Sequence, residues 1–96
     1  MIACYILYSQ NLDKFYTGIT QESVDSRSRR HNLSFYGNHF TSQTKDWEVF
    51  IVIECVSVSQ AMKIEKHIKS MKSKKYIQNL KKYPEIIEKL KLKFQA

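Results

Sequence analysis

The sequence is short of chain breakers and of acid. Its 96 residues include two glycines, one proline and two cysteines, and nine acidic side chains stand against sixteen lysines and arginines. Two cysteines, Cys4 and Cys55, cannot make a disulfide framework, and their spacing to the histidines matches no zinc pattern. No apolar run approaches the length of a membrane span. The start, MIACYILYSQ, has neither a basic leader region nor a small-residue cleavage site. The expectation is a cytoplasmic protein with both cysteines reduced and buried in strands. A hydrophobic fraction of 43% excludes a disordered chain. This length suits one domain, taken as residues 1–96 with a core over about 2–80 and a basic C-terminal helix over about 83–95.

What is abundant is positive charge, and it is unevenly spread. The net charge is +7, and eleven lysines fall between Lys63 and Lys93, opposed there only by Glu65, Glu85 and Glu88. Such a block favours a polyanionic partner through counterion release. A lysine-rich solvated helical surface would look the same by composition.

Hydrophobic patterning orders the elements. ACYILYS (3–9) is continuous and apolar, as in a strand buried on both faces. QNLDK is a turn, and FYTGIT (15–20) is the second arm of a hairpin. Gly18 inside that arm suggests a bulge or a place where something approaches the backbone. A helix is expected from about Ser23, capped by Ser23 or Asp25, to Asn32 or Leu33. Residues 34–46, with Phe35, Tyr36 and Phe40, read as a long loop. Trp47 to Val58 is the third strand. Ser59 is expected to cap a helix with Ala61, Ile64, Ile68 and Met71 as its apolar stripe. Ser73 is expected to cap the next, with Tyr76, Ile77 and Leu80 inward. Pro84 starts the last, whose apolar face is Ile86, Ile87, Leu90 and Phe94. The order β-β-α-β-α-α-α predicts an α+β fold, a three-stranded antiparallel sheet flanked by helices.

Four features exceed what packing requires. Tyr5 and Tyr16 stand on adjacent strands, and Tyr16 shares a strand face with Gly18, which would leave room for a ligand beside a phenol. Tyrosine is also an ordinary strand residue. Arg27 and His31 lie four apart on one helix face, a cation beside a proton-exchanging group, although Arg29 and Arg30 make a solvated face equally natural. Glu65 borders the buried stripe of its helix. There it can hold a hard cation such as Mg²⁺ or pair with Lys69 at i+4. Finally, aromatics interleave with polar and basic groups around His39, a pattern that can stack unpaired bases or simply cover the core.

Taken together, CYILYS, FYTGIT, VDSRSRRHN, DWEVFIVIEC and SQAMKIEKHIKSMKSKKYI resemble, in order and spacing, the GIY-YIG nuclease superfamily, in particular its small single-domain bacterial members. The resemblance covers residues 2 to about 80. It implies phosphodiester hydrolysis with one divalent ion, Mg²⁺ or Mn²⁺. Tyr5 and Tyr16 match the tyrosines of the two name-giving motifs, and Glu65 matches the metal-binding glutamate after the third strand. Arg27 matches the family arginine and His31 the residue four further on; that step selects Arg27 over Arg29. His39 corresponds to a second histidine of some homing-nuclease relatives, and Asn79 to a late asparagine of some members. The first motif reads Cys4-Tyr5-Ile6, so only its tyrosine carries over. Nucleic acid, with DNA preferred, is the implied partner, held by Lys69, Lys72, Lys74, Lys75, His39 and Asn79. Tyr5 ranks first as the base that activates water, with Tyr16 or His31 relaying. A nucleic-acid-binding module of the same fold that no longer cleaves is the competing reading.

Overall fold

The computed structural model of the chain describes residues 1–21 and 44–95. Three strands, β1 (Ala3–Ser9), β2 (Lys14–Thr20) and β3 (Glu48–Glu54), form one antiparallel sheet in the order β2-β1-β3. Three helices follow, α1 (Val58–Met71), α2 (Lys74–Lys82) and α3 (Pro84–Lys93). The expected α+β architecture is therefore present. The helix expected between β2 and β3, and all but the last residues of the 34–46 loop, lie outside the described residues.

β1 is central because it alone can be covered on both faces. Alternation sends Cys4 and Ile6 to one side and Ala3, Tyr5 and Leu7 to the other, and all five are fully buried. On the first side lies the main core. There Ile51, Ile53 and Cys55 join Cys4 and Ile6 under Ala61, Ile64 and Ile68 of α1, with Leu80 and Leu90 from the later helices. On the second side a smaller cluster gathers Ala3, Tyr5, Leu7 and Trp47, with Leu12 and Tyr16 against it. Each buried isoleucine contributes roughly 1.5–3 kcal/mol of transfer free energy. Truncating Ile64, which is wholly enclosed, would cost roughly 2–5 kcal/mol.

A bulge sets one detail of the core. Ile6 pairs with Ile51 and Leu7 with Val49, so Phe50 has no partner on β1. The extra residue turns Phe50 to the helix-covered side. There its ring lies 5.0 Å from that of Phe15, and the Lys81 ammonium sits 4.5 Å from its centroid.

The β3–α1 boundary differs from expectation. β3 ends at Glu54, and Ser57, not Ser59, caps α1. Cys55 N–H still bonds to the Ile2 carbonyl at 2.8 Å, but beyond it two side chains take over the backbone donors. Gln60 accepts from Val56 N, and Ser57 Oγ accepts from Gln60 N, so the chain must turn before residue 58. The buried position of Gln60 makes this possible, and its amide also donates to the Lys91 carbonyl. Met71 leaves the predicted stripe: it is 43% exposed, in the last turn before Lys72 adopts a left-handed conformation. Ser73 does cap α2, and Pro84 does open α3.

Candidate functional site at the edge of the sheet

Tyr5 pairs directly with Gly18 across the β1–β2 ladder. A Cβ at Gly18 would lie 2.7 Å from the Tyr5 hydroxyl oxygen and 3.0 Å from a Tyr16 ring carbon. The space that the sequence assigned to a ligand is thus filled by Tyr5 itself, whose ring lies across the glycine. The Tyr5 and Tyr16 rings are 6.4 Å apart and tilted, and Trp47 meets Tyr16 edge-on, also at 6.4 Å. Tyr5 is fully enclosed, whereas Tyr16, on the edge strand, is half-buried. Tyr16 is therefore the more accessible of the two residues.

Glu65 is carried by α1, which packs on the opposite face of the sheet from the tyrosines. It flanks the buried Ala61–Ile64–Ile68 stripe, as predicted, and its side chain is 24% exposed. The Cys4 thiol registers its position. Burial first, then Cys55 and then Glu65 push that thiol far up, while Lys69 opposes them. Cys4 is an inert core thiol.

Lys69 joins the two halves of the site. Its ammonium is 3.4 Å from Glu65 Oε2 and 6.0 Å from the centroid of the Tyr16 ring. The ion pair expected as the ordinary explanation of Glu65 is present. So is the adjacency to a phenol that the ordinary explanation does not require. Glu65 also lines a cavity of about 650 Å³ along α1, with Met62, Lys63 and Lys66.

Among the described residues no three histidine, cysteine or acidic side chains cluster into a metal cage. A partly exposed carboxylate is still a fitting donor for a hard, hydrated cation. Mg²⁺ dehydrates reluctantly and is commonly held by one or two carboxylates plus water and substrate oxygens.

Of the predicted nucleic-acid contacts, Lys69, Lys72 and Lys74 come together in a cleft beside Tyr16, and Lys75 and Asn79 of α2 do not line it. Lys74 donates to Asp13 Oδ2 at 2.9 Å, and Tyr8 donates to Asp13 Oδ1 at 2.7 Å, tying the hairpin turn to the start of α2. The bond from Lys74, then that from Tyr8, holds the Asp13 carboxyl below its usual range, and the same bond to Asp13 raises Tyr8. Arg27, His31 and His39 lie outside the described residues.

Three residues near the site escaped sequence reasoning. Lys14 lines the same cleft from β2, but in sequence it is one polar residue of a turn. Trp47 reads from sequence as a strand residue only, and it meets Tyr16 edge-on. Asp46 accepts from Ser9 Oγ at 2.6 Å, Thr44 Oγ1 at 2.7 Å and Asn11 N at 2.9 Å, clipping the β1–β2 turn to the entry of β3 next to Trp47. Those donors, Ser9 foremost, bring the Asp46 carboxyl down to about 2. A carboxylate before a tryptophan carries no local signal of such a clip; its donors lie up to 37 positions away.

No helix among the described residues is long and apolar enough to cross a membrane. Searches of curated proteins and of solved structures return no match for the chain. The family model of the GIY-YIG catalytic domain matches residues 1–81. That family consists of nucleases that act on nucleic acid and are generally dependent on a divalent metal. The match takes in both tyrosine strands, β3, α1 and nearly all of α2, and with it the chain belongs to the GIY-YIG family.

Proposed function

We propose that this chain is a divalent-metal-dependent endonuclease that hydrolyses phosphodiester bonds of DNA, including single-stranded or branched forms. The observation that carries this is Lys69 spanning from the Glu65 carboxylate to the Tyr16 ring around the β2 edge. A carboxylate, a cation and a solvent-accessible phenol side by side suit proton transfer next to a phosphate.

Glu65 would hold one Mg²⁺ or Mn²⁺ ion, which when bound supplies charge stabilisation at the phosphate and increases the acidity of nearby groups. Tyr16 takes the proton of the attacking water. The Lys69 ammonium lies 6.0 Å from the centroid of its ring. Tyr5 packs over Gly18 and holds the Tyr16 ring in register. Arg27 and His31, carried over from the family resemblance, would offset the charge that develops on the phosphate. Lys72, Lys74 and Lys75, together with His39 and Asn79, hold the strand by its backbone without reading bases. One domain carries all of this, and the protein acts in the cytoplasm.

The test is Glu65→Gln, assayed with Mg²⁺ on labelled single-stranded, duplex, flapped and branched DNA. Cleavage should disappear while binding persists; full cleavage by the variant would remove the metal role of Glu65. The Glu65–Lys69 ion pair is equally at home in a non-cleaving module of the same fold. Binding without any metal-dependent nicking by the wild-type protein would establish that alternative. Either way, affinity should fall steeply between low and moderate salt.

A further inference from the structure

We infer that the cleft between β2 and the α1–α2 junction binds one unpaired nucleotide of the substrate strand, next to the cleavage site. The inference rests on the nuclease reading for the identity of the strand and for its place beside the cut, but the nucleotide site itself, and its test, need neither Glu65 nor cleavage.

The cleft measures about 340 Å³. That is at the lower end of the ~300–1,000 Å³ typical of small-ligand sites. It is room for a single nucleotide and too little for a duplex. Its rim carries four lysines from three elements: Lys14 on β2, Lys69 on α1, Lys72 at the junction and Lys74 at the start of α2. Lys72 is exposed, Lys69 is paired with Glu65 and Lys74 with Asp13. Four lysines on so small a rim call for an anion, and a phosphodiester is the anion that this fold family handles.

The floor separates a nucleotide from a free phosphate ion. Phe15, Ile68 and Ile77 line it, and all three belong to or pack against the main core. An apolar floor has no use for inorganic phosphate, but it accommodates a sugar or base whose phosphate lies on the lysines. A base inside a duplex cannot reach the floor without leaving its stack, which costs a few kcal/mol. Unpaired strands, flaps and branch points avoid that cost. Lys69 is shared by this cleft and the Glu65 cavity, so the nucleotide held here would neighbour the one being cut.

The experiment measures binding alone, in EDTA, by fluorescence anisotropy. The probes are a labelled hexathymidylate and a blunt twelve-base-pair duplex, with inorganic phosphate as competitor. The Lys14→Ala/Lys72→Ala double variant should lose about tenfold in affinity for the hexathymidylate and less than twofold for the duplex. A charge-matched Lys89→Ala/Lys91→Ala control on α3 should not separate the two probes. Thermal melts of both variants should match the wild type. Equal loss on both probes, or no loss, would overturn the inference. So would full displacement by inorganic phosphate at concentrations where sodium sulfate of equal ionic strength displaces nothing. If the protein binds as predicted but never cuts DNA, the nuclease reading fails while this one stands.

Discussion

The Lys69 ammonium lies 3.4 Å from Glu65 Oε2. A metal ion held by Glu65, as proposed, would compete with Lys69 for that carboxylate. Exposed pairs of this kind are worth about 0.2–1 kcal/mol. Lys69→Met should accordingly tighten Mn²⁺ binding by about two- to fivefold, followed by electron paramagnetic resonance of the free ion. Glu65→Gln should abolish that binding. An unchanged Mn²⁺ affinity in Lys69→Met would mean that the ion sits elsewhere.

Gly18 permits the tyrosine pair to exist in its present form. The methyl of Gly18→Ala would enter the Tyr5 ring at 2.7–2.8 Å, and that ring is fully enclosed and cannot retreat freely. Overpacking of this kind costs roughly 1–3 kcal/mol. Urea unfolding should show a loss in that range, and cleavage should drop further than stability explains because Tyr16 is pushed as well. A neutral effect on both would show that the ring has another place to go.

Access divides the two phenols. Tyr16→Phe should lower kcat by about 10²–10⁴, the usual range for a general base, with little change in KM. Tyr5→Phe should lose less in kcat. Equal losses in both variants would assign the proton transfer to the pair.

Much of this arrangement was legible from sequence because it is periodic. The all-apolar run from Ala3 to Leu7 could only be a central strand, and the spacing of Ala61, Ile64 and Ile68 left Glu65 at the margin of a buried stripe. What escaped were relationships set by tertiary contact. The bulge at Phe50 has no marker in EVFIVIE, and the choice of Ser57 over Ser59 as cap depends on Gln60 being buried against α3. The room at Gly18 was legible, but its occupant was not, because only the β1–β2 register brings Tyr5 over it. Lys14 joined the site only once the α1–α2 junction had folded over β2.

Asp46 gives a prediction about acid. Its carboxyl lies at about 2 in the folded protein against an ordinary 3.8, because Ser9, Asn11 and Thr44 donate to the ionised form. A depressed folded value means that the unfolded chain binds the proton more tightly. The resulting stabilisation is complete above about pH 4 and is lost as pH falls through about 2. The urea midpoint of the wild type should decline across that window. Asp46→Asn should be less stable at neutral pH and should show a flatter decline there, since its amide does not titrate. The same variant should also change the tryptophan emission, because Trp47 is the neighbouring residue, is buried, and is the only tryptophan in the chain. An acid profile identical to that of the wild type would mean that the three hydrogen bonds contribute nothing to holding β3 against the hairpin.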